Sequence, residues 1–102
     1  MEKRRCVKMD DITKNMLLYA LRDVFREEKS NGCSTEETRA LVVRVAELKS
    51  EKLFLTEAEY QKVIEALNKL RDTYLAAGRY ADGIDTVFYK ILKAKYKRCA
   101  VR

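Results

Sequence analysis

The sequence predicts an all-α fold: one domain of four helices with short connections, roughly antiparallel, ending in a basic C-terminal helix. Three observations predict it. Ala, Leu, Lys, Glu and Arg, all good helix formers, dominate the 102 residues, while proline is absent and glycine occurs only at Gly32, Gly78 and Gly83. Apolar residues recur at three- and four-residue steps in four separate windows. No segment has strand-like alternation bounded by turn residues. A chain of this length forms a single domain over 1–102 with a modest core and little room for a deep catalytic cleft.

Residues 1–9 read as a flexible basic arm carrying Lys3, Arg4, Arg5 and Lys8. Asp10 or Asp11 then opens the first helix, because an acid suits the positive N-terminal end. Its stripe is Ile12, Met16, Leu17, Ala20, Leu21, Val24 and Phe25, and Ser30-Asn31-Gly32 stops it near Lys29. Ser34 and Glu37 have capping-box spacing for the second helix, whose stripe is Leu41, Val42, Val45 and Leu48. Leu53, Phe54 and Leu55 form an apolar plug in the next connection, too short to assign as a strand. Thr56 and Glu59 make the clearest capping box, with Leu55 and Tyr60 at the staple positions. The third helix continues through Val63, Ile64, Leu67, Leu70 and Tyr74 to Gly78. Asp82 caps the fourth, which buries Ile84, Val87, Phe88, Ile91 and Leu92 and frays between Tyr96 and Arg102.

Charge is the most uneven property of the chain. The net charge is +6, and residues 90–102 hold Lys90, Lys93, Lys95, Lys97, Arg98 and Arg102 with no acid, so residues 1–89 are neutral as a group. On a helix, Lys90, Lys93 and Lys97 share a face, with Tyr89 and Tyr96 beside them and Arg98 following. These six residues are the candidate partner- or phosphate-binding site: lysines reach phosphates, and tyrosines stack on bases or pack at the rim of the core. Base-specific readout usually employs Arg, Asn or Gln, which are scarce here, so contact with nucleic acid would follow the backbone. The first turn of the fourth helix, with Asp82, Ile84 and Asp85, is unsuited to reading a major groove.

Other chemistries find little footing. There is no histidine, which excludes Ser-His and Cys-His pairs within the chain, and no glycine-rich phosphate loop. The acidic pairs fall mostly in first turns, where they serve the helix dipole. Cys6, Cys33 and Cys99 are odd in number and lack metal-ligand spacing, so no metal or other cofactor is expected, and free thiols suit a reducing cytoplasm. No signal-peptide or membrane-spanning stretch is visible, and no membrane partner is expected. The run Met16–Phe25, MLLYALRDVF, is apolar enough to imply a central helix, a homodimer contact or a partner-docking patch.

Two resemblances follow. Leu70, Tyr74, Gly78, Tyr80, Gly83, Ile84 and Val87, within 64–92, resemble one tetratricopeptide helical hairpin, in which small residues allow close packing and the aromatic after the turn wedges between helices. Lys90 stands where that family has a small residue, no proline closes the unit, and one repeat builds no solenoid, so the likeness reads as convergence on a tight hairpin. In general character the chain resembles small helical accessory proteins of phages and conjugative elements, some of which are anti-CRISPR inhibitors. That resemblance implies a non-enzymatic module that binds a protein or nucleoprotein partner. The alternative is a nucleic-acid-binding regulator anchored through the basic C-terminal face.

Overall fold

A computed structural model describes residues 2–99, with side chains described for 4–94. The elements run β1 (Glu2–Lys8), α1 (Asp11–Ser30), α2 (Glu36–Ala46), β2 (Lys52–Leu55), α3 (Glu57–Ala76), α4 (Asp82–Leu92) and β3 (Lys95–Cys99). Four helices make up most of the fold, as the sequence predicts. Beside them lies an antiparallel sheet of order β2-β1-β3, which the sequence reading lacks. Residues 2–8 are therefore the central strand rather than a flexible arm. The basic tail leaves the helix after Leu92 and pairs as an edge strand, so there is no basic C-terminal helix through residue 99. Arg102 lies outside the described residues.

The helix ends follow local chemistry closely. The Asp10 carboxylate accepts the Thr13 N–H at 2.7 Å and caps α1. At α3 the capping box forms in both directions: Glu59 N–H donates to Thr56 Oγ1 at 3.2 Å, and Thr56 N–H donates to Glu59 Oε1 at 2.9 Å. Gly78, at φ +72°, closes α3 through a Schellman pair, with Arg79 N–H donating to Tyr74 O at 2.9 Å and Gly78 N–H to Leu75 O at 3.1 Å. The other two caps differ from expectation. Thr35 and Ala81 hold the N-cap positions of α2 and α4 without a side-chain cap, so Ser34 and Asp82 do not cap. Acids in both first turns still complement the dipole.

The core lies between α1, α3 and the sheet. Leu17 and Leu21 of α1, Leu67 and Val63 of α3, and Leu55 of β2 are fully buried. The helical stripes hold except at their edges, where Ile12, at 70% exposed, and Leu92 face outward. Within the repeat-like hairpin, Tyr80 is 91% exposed and wedges between nothing. A Cβ on Gly83 would meet only Met16 Cε, at 3.9 Å, so close packing does not require glycine there.

A polar cluster ties three helices together. Lys62 of α3 donates to Glu28 of α1 at 3.1 Å and to Thr38 of α2 at 3.0 Å, and the Thr38 hydroxyl donates to Glu28. Desolvation opposes the Glu28 charge, but the hydrogen bonds from Thr38 and Lys62 outweigh it and hold the carboxyl below its ordinary value. Glu59 is lowered in the same way: burial opposes its charge, and Arg44 and the Thr56 N–H prevail. A depressed carboxylate stabilises the fold fully above its unfolded pKa, 4.5 here, and loses that contribution as pH falls through the lower folded value. Urea midpoints should therefore be level from pH 7 to about 5 and fall below that. Glu28→Gln should lower the midpoint at pH 7 and make the acid limb shallower; an unchanged limb would remove Glu28 from this account.

Candidate nucleic-acid interface

The pleat of the sheet separates two faces. Val7, Leu53 and Leu55 point inward and are at most 2% exposed. Arg5 shares their face by register, opposite Leu55, and its charge is absorbed there. Its guanidinium lies 4.3 Å from the Tyr60 ring centroid, donates to Ala94 O at 3.1 Å and pairs with Glu57 at 3.5 Å. Arg5 thus clamps β1 to α3 and to the chain leaving α4.

The alternate positions make the outer face. Arg4, Cys6 and Lys8 of β1 and Lys52 and Phe54 of β2 occupy it, all exposed or partly so. Lys97 and Lys95 stand opposite Arg4 and Cys6 in the register, which assigns their positions to the same face. The three strands together contain eight of the 22 basic residues and only Glu2 among the acids. The sheet therefore carries +7, and the rest of the chain sums to −1. The two basic segments at opposite ends of the sequence have become neighbouring strands.

Register sharpens the concentration. Lys8 stands directly opposite Lys52, Arg4 opposite Lys97 and Lys3 opposite Arg98. Like charges directly opposite in a sheet are destabilising, by about 0.2–1 kcal/mol a pair on the usual cross-strand scale. Beside this face lies an open depression of about 570 Å³, lined by Arg4, Arg44, Lys49, Lys52 and Phe54 together with one acid, Glu47. Arg44 is fixed there: it pairs with Glu59 and donates to Phe54 O at 2.6 Å.

The structure does not gather the six residues singled out from sequence. Lys90 is structural, reaching Thr13 Oγ1 at 3.1 Å and the Asp10 carboxylate at 3.4 Å, and so joins α4 to the cap of α1. The Thr13 backbone N–H, then its side chain, and then Lys90 hold the Asp10 carboxyl down at about 2. Tyr89 is exposed on α4, with the Lys93 ammonium 4.3 Å from its ring centroid. Lys97 belongs to the outer face by register, whereas Tyr96 and Arg98 alternate with it, opposite Arg5 and Lys3. Helical spacing placed Lys90, Lys93 and Lys97 together; the break after Leu92 and the strand that follows separate them. Lys52 and Phe54 are not among them: Lys52-Leu53-Phe54-Leu55 has three consecutive apolar residues and no polar–apolar alternation, and only the strand's burial pattern turns Phe54 outward.

No protein-family model matches the chain, and neither a curated protein nor a solved structure matches it. Among the described residues, no helix is long and apolar enough to cross a membrane.

Proposed function

We propose that this protein is a non-enzymatic nucleic-acid-binding module that holds phosphates on the outer face of its sheet. The observation that carries the reading is a basic excess confined to three short strands, with five of their eight cations at outer-face positions, in a chain whose remainder is −1. Lys8 and Lys52, opposite one another on this face, are relieved by a polyanion, and Lys and Arg on a regular lattice suit backbone contact over base readout. Cys6 and Cys33 are free thiols, which suits work in a reducing cytoplasm.

Arg4, Lys8, Lys52, Lys95 and Lys97 provide five cations at outer-face positions. If each meets a phosphate, anisotropy titrations of a labelled oligonucleotide between 50 and 300 mM salt should give a log–log slope of about −3.5 to −4.5. A slope near zero, or no binding at the low-salt end, would sink the proposal.

A second reading is supported by a different surface. Phe25, Val42 and Val43 line an apolar hollow of about 230 Å³ between α1 and α2, flanked by Arg22 and Arg39. Such a hollow suits a protein contact, either a partner or a second copy of the chain. With the basic sheet it would let the module dock on a nucleoprotein, in the manner of an inhibitor carried by a phage or conjugative element. A complex captured from lysate that survives both nuclease and high salt would favour this reading over the first.

A further inference from the structure

We infer that the nucleic acid held by the sheet is single-stranded, and that an unpaired base stacks on Phe54. The inference rests on the basic-sheet reading and deepens it. Contact with phosphates alone calls for no aromatic ring, yet the outer face has one among its cations. Phe54 stands opposite Cys6, a side chain much smaller than the ring. Arg4 and Lys8 occupy the diagonal positions on β1, two residues to either side of Cys6. Diagonal positions in a sheet lie roughly 7–8 Å apart, so cations bracket the ring along the strand direction.

The mount is rigid as well as bracketed. The Phe54 carbonyl accepts Arg44 Nη2 at 2.6 Å, and the same guanidinium pairs with Glu59, which closes the capping box of α3. Phe54 is only partly buried and lines the open depression, so the site is accessible from solvent. Base–aromatic stacking beside a cationic track is the general means of holding a single strand without regard to sequence. A duplex keeps its base faces stacked internally and gives the ring nothing to contact. An anionic membrane would be met better by an apolar side chain protruding from the surface than by one lining a depression.

The test uses the full chain with labelled dT12, a 12-base-pair duplex, phosphatidylserine vesicles and inorganic polyphosphate as competitor. Wild type should bind dT12 more tightly than duplex. Phe54→Leu, shown folded by its thermal transition, should weaken dT12 binding roughly 5- to 150-fold and leave duplex and polyphosphate binding unchanged. Phe54→Trp should keep the affinity, and its indole, the only tryptophan in the chain, should be quenched by dT12. Equal dT12 affinity for wild type and Phe54→Leu, or an indole unmoved by dT12, would overturn stacking while salt-sensitive polyanion binding kept the basic-sheet reading. Phe54-dependent binding to vesicles without binding to dT12 would overturn it in favour of lipid. No binding to any polyanion would overturn both readings.

Discussion

Removing residues 1–8 should abolish the cooperative unfolding transition. A flexible arm could be cut with little consequence, but among the described residues β1 is the only strand that β2 and β3 pair with. Its loss leaves both of them without a ladder and opens Leu53 and Leu55, at most 2% exposed, to water. It also takes away Val7, 1% exposed, and the Arg5 clamp to Tyr60, Glu57 and Ala94. Burying an aliphatic side chain contributes about 1.5–3 kcal/mol, and a hydrogen bond to a charged group about 1.5–3 kcal/mol more. Those terms and the lost ladder together approach the 5–15 kcal/mol that holds a typical domain. Circular dichroism melts of the full and shortened chains decide the matter. A shortened chain melting within a few degrees of the full one would show that β1 is dispensable.

Lys52→Glu combined with Lys97→Glu should stabilise the fold and disable binding. Each substitution turns a like-charge cross-strand pair, Lys8–Lys52 or Arg4–Lys97, into an opposite-charge pair. A gain of about 0.5–1 kcal/mol for each pair is expected, seen as a rise in the denaturant midpoint at unchanged slope. Binding moves the other way. Two phosphate contacts are lost and two repulsions added, so affinity at 0.1 M salt should fall by about 100-fold or more, and the log–log salt slope should shrink by at least about 1.5 units. Opposite signs for stability and binding are expected of a surface kept for its ligand at a cost to the fold. A variant that loses stability and binding together would mean that the charges serve the sheet itself.

The helices were legible because their determinants are local. The Thr56–Glu59 box, the stop at Gly78 and the stripes of α1 and α3 can be read within windows of a few turns. The sheet was not, because β1 draws its partners from residues 52–55 and 95–99. Nothing near Glu2–Lys8 announces a strand: among its described side chains only Val7 belongs to the buried core. Arg5 occupies an inward position with a charged side chain whose partners come from α3 and from the residue after α4. In the tail, the period-two placement of Lys95, Tyr96 and Lys97 pointed to a strand, but the apolar stripe running up to Leu92 carried the helical reading past it. The two basic segments were each visible in sequence. What could not be read was that they lie side by side, and that adjacency makes the basic face of the sheet.

The order of strands also bears on how the chain is made. Synthesis delivers β1 first, β2 some fifty residues later and β3 last. At about 5–20 residues per second, the central strand waits roughly 4–17 s for its second neighbour, with an edge open throughout. An unpaired edge is a template for aggregation, and lysine or arginine along it is the usual protection. The charges on β1 would keep the nascent strand apart from its copies on neighbouring ribosomes until both of its own neighbours have been made.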